Sequence, residues 1–129
     1  MKIDETSLTP LYIQIADAIE EDILTNRLEE GGPCYSQLII SKELKVNPAT
    51  AAKGINLLVS RGVLEKQRGL AMIISPGAKD IIIKRKLQTD FEYKIQELVR
   101  NARQLNLSEE YVNNKISEYY KGVSYEQHN

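Results

Sequence analysis

The chain has 129 residues, 42 % of them hydrophobic, a formal net charge of −1 and one cysteine. This fits one modest domain, or a small domain with an appendage, and excludes wholesale disorder, an intramolecular disulfide and a cysteine-rich zinc site. No run approaches the roughly 20 apolar residues of a membrane span, and Met1-Lys2-Ile3-Asp4-Glu5 is charged where a leader would be apolar, so a cytoplasmic protein is expected.

Thr9-Pro10 predicts a helix start, with Thr9 as cap and proline at the first helical position. Leu11, Ile15, Ile19 and Ile23 follow every fourth residue as one apolar stripe, to an end near Asn26. Gly31-Gly32-Pro33 breaks the chain and leaves room for a loop or a short strand. Ser36 caps a second helix to about Leu44, with Ile40 and Leu44 inward, and Lys45-Val46 is a short turn. Asn47-Pro48 opens a third helix over 48–61. It turns Ala51, Ile55, Leu58 and Val59 inward and Thr50, Lys53, Asn56 and Ser60 outward, with Gly62 as its stop. Residues 63–66 read as a strand, Arg68-Gly69 as a turn and residues 71–74 as the returning strand. Two short helices around a tight turn, then a hairpin, make a winged helix-turn-helix.

Ser75-Pro76-Gly77 marks a boundary, which gives a winged domain over 1–76 and a helical region over 77–129. From Ala78 a long helix carries Leu87, Phe91, Ile95, Leu98, Ala102 and Leu105, close to the 3.5-residue repeat of helices that pair along their length. Ser108 caps a last helix with Val112, Ile116 and Tyr119 inward, ending near Gly122, and the tail 123–129 is expected to be loose. The predicted fold class is mainly α with a small β-hairpin.

Catalytic constellations are missing. The sole histidine, His128, lies one residue from the end, a poor place for a base that must be held in geometry. Cys34 has no histidine near it in sequence and reads as a packed residue. No phosphate loop of the G-x-x-x-x-G-K-[ST] kind occurs. Glu20, Glu21 and Asp22 read as a solvated helix surface. No enzyme, metal or cofactor is expected.

Charge is segregated. Residues 9–30 hold one basic side chain against six acidic ones, a balance of −5, whereas residues 36–70 hold six against two, a balance of +4. The basic segment suits phosphates, although an ordinary solvated surface has the same look. On a DNA-binding reading the third helix enters the major groove by its N-terminal end, presenting Asn47, Ala49, Thr50, Lys53 and Asn56. Ser36 and Gln37 open the preceding helix, whose free N–H groups favour a phosphate. Lys66, Arg68 and Gly69 on the hairpin lie along the backbone or enter the minor groove.

Residues 10–75 resemble the winged-helix domain of GntR-type bacterial regulators. The resemblance rests on Pro10-Leu11-Tyr12-Ile13-Gln14-Ile15, Val46-Asn47-Pro48-Ala49-Thr50 and Arg61-Gly62-Val63-Leu64. Gln67-Arg68-Gly69-Leu70-Ala71-Met72-Ile73-Ile74 with Gly77-Ala78 is similar to the wing and linker of the YtrA-like subfamily. That likeness implies a homodimer on a palindromic operator, usually repressing, with a short helical dimerisation region at 78–121. The departures are Leu38 for an arginine expected to touch DNA, Tyr35 for a proline, Lys45 for the turn glycine and Ala71 for a wing glycine. Gly54 inside the third helix costs about 1 kcal/mol relative to alanine.

Two functions follow. One is sequence-specific binding of double-stranded DNA by a homodimer, joined through Leu87, Phe91, Ile95, Leu98, Ala102, Leu105, Val112, Ile116 and Tyr119. The other is a winged helix used as a protein-interaction module, for which Leu38 and the net charge speak. The apolar stripe of the long helix has its own alternative, packing on the winged domain or on the last helix. No residue points to a small-molecule effector, and a helical hairpin this short leaves little room for a pocket.

Overall fold

A computed structural model describes residues 1–69 and 71–122; the expected loose tail, 123–129, lies outside the described residues, as does Leu70. The elements are α1 (Leu11–Leu24), α2 (Gln37–Leu44), α3 (Pro48–Ser60), β1 (Leu64–Glu65), β2 (Ile73–Ile74) and α4 (Ala78–Lys86). A π-helical turn (Leu87–Phe91), α5 (Glu92–Gln104) and α6 (Glu109–Tyr120) complete the chain. The fold is mainly helical with one small hairpin, as the periodicities imply. Two compact units form, Met1–Arg85 and Lys86–Asn129.

In the first unit, α1, α2 and α3 surround a core of Ile15, Ile19, Ile23, Ile40, Ala51 and Leu58, with Val63, Leu64 and Ile74 from the hairpin. The caps on α2 and α3 form as the sequence requires. The Ser36 hydroxyl accepts from the Ile39 N–H at 3.1 Å and Asn47 Oδ1 from the Ala49 N–H at 2.8 Å. Lys45, standing where the related pattern has glycine, takes φ +54 and ends α2 in the left-handed region. α1 differs at its start. Thr9 does not cap it; the helix begins at Leu11 with no side-chain cap, and the Pro10 carbonyl accepts from Ile13 and Gln14. Val59, expected inward, is 36 % exposed, because the buried arc of α3 runs through Ala51, Gly54, Ile55 and Leu58.

Gly54 has a packing reason. A Cβ there would stand 2.9 Å from Ile15 Cγ2 and 3.1 Å from the Tyr12 carbonyl oxygen, so its absence lets α1 lie directly on α3. The strands are shorter than expected, two residues each, pairing Leu64 with Ile74 and Glu65 with Ile73. On the other edge of β2, Pro33 bridges Ile73, and the Gly31 and Cys34 N–H groups donate to the Ile74 and Met72 carbonyls at 2.7 and 2.9 Å. The Gly31-Gly32-Pro33 break therefore supplies a short third edge.

Two expectations about charge and boundary are corrected. Glu20 and Asp22 are buried, not solvated. Glu20, 0 % exposed, receives Arg85 from α4 at 2.5 and 2.6 Å and Arg61 at 3.2 Å, since a buried carboxylate must be paired. Asp22 accepts from the Tyr35 hydroxyl at 2.5 Å. The first unit also runs past residue 76 to Arg85, because Ala78 and Ile82 of α4 belong to the same core. Glu30 caps α4 from a distance, its carboxylate accepting from the Gly77 and Lys79 N–H groups at 2.7 and 3.0 Å.

In the second unit the expected single long helix is interrupted by the π-helical turn, where Thr89 and Asp90, both weak helix formers, stand in the middle. A π-turn adds a residue to the ladder, and Leu87 and Phe91 within it are exposed on the single chain. The Ser108 hydroxyl caps α6 by accepting from the Tyr111 N–H at 3.1 Å. Asn106 at φ +58, with the Leu107 N–H bonded to the Ala102 carbonyl, folds α6 back towards α5. Ala102 is 8 % exposed and Val112 half-buried, whereas Ile95, Leu98, Leu105, Ile116 and Tyr119 stay exposed on the single chain. Two apolar grooves flank Ala102, one along Leu98, Leu105 and Tyr119, the other along Ile95, Val99 and Leu107. Among the described residues no helix is long and apolar enough to cross a membrane.

Candidate nucleic-acid interface

The start of α3 and the start of α2 are joined. Gln37 Nε2 donates to the Pro48 carbonyl at 3.0 Å, which ties the first turn of one helix to the first turn of the other. Both turns have their free N–H groups partly satisfied by their own caps, Ser36 and Asn47. Ser36, Gln37, Asn47, Ala49, Lys53 and Asn56 are exposed, and Thr50 is half-buried. Ala49, Lys53 and Asn56 recur at helical spacing, so α3 offers one outward strip beginning with a small residue. The hairpin carries Lys66, Arg68 and Gly69 exposed, with Gly69 at φ +71 making the turn that a residue with a Cβ adopts rarely.

Not every basic residue of the segment faces outward. Arg61 follows α3 and turns inward, its guanidinium at 3.2 Å from Glu20 and 3.5 Å from Asp17. Lys53 is then the one charged side chain within α3. Its ammonium sits 4.7 Å from the centroid of the Tyr12 ring, a contact no spacing rule links in the sequence. Leu38 is 62 % exposed and Ile39 is exposed beside it, an apolar pair on the first turn of α2.

No protein-family model matches the chain. The HTH-type transcriptional repressor YtrA of Bacillus subtilis is 27 % identical over 124 residues, 96 % of this chain and 92 % of that protein. The solved structure of a GntR-family transcriptional regulator from Bacteroides thetaiotaomicron superposes with a TM-score of 0.70 at 27 % identity, covering 92 % of this chain and 99 % of that one. YtrA from Sulfolobus acidocaldarius, a GntR-family transcription factor, does so at 0.55 and 28 %, covering 95 % and 98 %. Over nearly its whole length the chain is similar to transcriptional regulators of the GntR family. Its GntR relatives are regulators and not enzymes, and the winged unit is their shared fold. The coverage of 96 % and 95 % extends the likeness to the two YtrA proteins through α5 and α6.

Proposed function

We propose that the chain represses transcription by binding a palindromic operator as a homodimer, with α3 in the major groove and the hairpin on the backbone or in the minor groove. The observation that carries this reading is the exposed strip Ala49, Lys53 and Asn56, on a helix whose first turn is bonded to that of α2. Asn47, Ala49, Thr50, Lys53 and Asn56 face base edges and nearby phosphates, Ser36 and Gln37 meet a phosphate, and Lys66, Arg68 and Gly69 form the second contact. The repressor name of the Bacillus subtilis relative supports the direction of the effect.

Pairing uses Ile95, Leu98, Leu105, Ile116 and Tyr119, exposed on the single chain, around Ala102 and Val112, with Leu87 and Phe91 from the π-turn beside them. Water is a poor partner for such a set, since burying each side chain contributes roughly 1.5–3 kcal/mol. A symmetric pair would set two α3 helices about 34 Å apart, one duplex turn. A gel shift on the DNA upstream of its own coding region tests the whole reading. Retention of a fragment at low salt, with a log–log salt slope about 3 units flatter once Lys53, Lys66 and Arg68 are neutralised, is the expected result. Indifference to every upstream fragment rejects it. Sedimentation tests the pairing, and a species near 14.7 kDa at micromolar concentration rejects it.

The exposed pair Leu38 and Ile39 favours a second reading, a winged helix that docks another protein. It requires a stable complex that Leu38→Lys abolishes, with duplex affinity that is weak and insensitive to salt.

A further inference from the structure

We propose that Tyr12 is a positioning residue for DNA binding, holding the Lys53 ammonium over its ring so that the charge of α3 is set in place before DNA arrives. The inference rests on the DNA-binding reading of α3 and names a residue outside the helix that shapes its contact.

Three observations meet at this point. Lys53 is the one charged side chain within α3, so where its ammonium stands decides where that helix meets a phosphate. The ammonium lies 4.7 Å from the centroid of the Tyr12 ring, within the range where a ring's negative face attracts a cation. The neighbouring Gly54 allows this, because a Cβ there would meet the Tyr12 carbonyl oxygen at 3.1 Å and Ile15 Cγ2 at 2.9 Å. Without it α1 comes down onto α3 and carries the ring to the side of Lys53.

The chemistry leaves the lysine usable. An ammonium has three donors, and a ring face offers charge attraction without accepting any of them in a strong hydrogen bond. The N–H groups turned away from the ring remain free to donate to phosphate oxygens. A lysine with four rotatable bonds loses much of that freedom on binding, and a side chain already restrained loses less. Tyr12 itself needs no contact with DNA for this effect. The ring face is the active feature and the hydroxyl is dispensable.

The full-length chain and DNA from upstream of its own coding region form the test, with Tyr12→Phe, Tyr12→Leu, Lys53→Met and the double variant Tyr12→Leu with Lys53→Met. Tyr12→Leu weakens binding about threefold, the size of one exposed ring–cation contact. Tyr12→Phe binds like the parent, and on the Lys53→Met background Tyr12→Leu adds nothing. Equal weakening on both backgrounds, or a loss in Tyr12→Phe matching that in Tyr12→Leu, overturns the proposal. A second readout needs no variant: the ε-methylene protons of Lys53 in the free protein resonate upfield of those of Lys42, shifted by the ring current. Absence of that shift overturns the proposal while leaving DNA binding untouched. A shift that is present in a protein that retains no DNA rejects the DNA-binding reading, and the positioning role with it.

Discussion

The two units of this chain use apolar residues in opposite ways. In the winged unit Ile15, Ile19, Ile23, Ile40, Leu58, Leu64, Ile74 and Ile82 are fully buried within one chain, and its two inward carboxylates have partners. In the helical unit Ala102 is the one buried hydrophobic among the described residues, while Leu98, Leu105, Ile116 and Tyr119 lie open. The first closes its own core. Among its described residues the second has the same kind of pattern left open, and the proposed pairing rests on that difference. A short chain gains from such a division, since a small domain buries a limited share of its surface alone.

The sharpest way to break the comparison is to make the same substitution in each unit. Leu58→Ala removes a fully buried side chain and is expected to cost about 2–5 kcal/mol in urea unfolding. Leu105→Ala, at a residue 70 % exposed on the single chain, is expected to cost less than about 0.5 kcal/mol at dilutions where chains are apart. Equal losses would mean that the helical unit has a closed core of its own.

Ion pairs give a second contrast. Arg85→Met leaves the buried Glu20 with Arg61 alone and is expected to destabilise by about 3 kcal/mol. Lys115→Met breaks the exposed Lys115–Glu118 pair of α6 and is expected to leave the unfolding curve unchanged. Gly54→Ala is a smaller effect with an informative sign. Helix propensity alone favours alanine by about 1 kcal/mol, yet the added Cβ meets Ile15 and the Tyr12 backbone. Overpacking of this kind costs about 1–3 kcal/mol, so a net loss of stability is expected by thermal melting. A net gain would show that α1 moves aside freely.

A further expected effect lies at alkaline pH and belongs to the winged unit. Burial, then the hydrogen bond to Asp22, raises the Tyr35 phenol from 10.0 to about 12, and burial raises the Cys34 thiol from 9.0 to about 11. The folded chain holds both protons more tightly than the unfolded one. Their contribution is complete below pH 9 and drains away as pH climbs through 11 and then 12. Tyr35→Phe is expected to flatten the upper part of that decline in melts taken across this range. An unchanged profile would place the loss elsewhere.

Local chemistry made much of the architecture legible. Ser36, Asn47-Pro48 and Ser108 announce three helix starts, because a cap is an interaction between residues two or three apart. The strip of α3 and the loops at Gly62 and Gly69 are readable for the same reason, and so is the resemblance to GntR regulators. The stripe on α5 was legible as a pattern, but the π-turn ahead of it was not, since a change of helical phase leaves the residue types unaltered.

What tertiary structure alone decided are matters of which surface comes to lie against which. Glu20 has the look of a solvated carboxylate on α1 until Arg85, 65 residues further on, folds over it. Gly54 reads as a weak point in a helix until α1 is found lying on it, and Lys53 reads as one more surface cation until Tyr12 is beside it. Caps and periodicity are written in neighbours along the chain. Burial, charge pairing and the aim of a lysine depend on neighbours in space, which no short window of sequence contains.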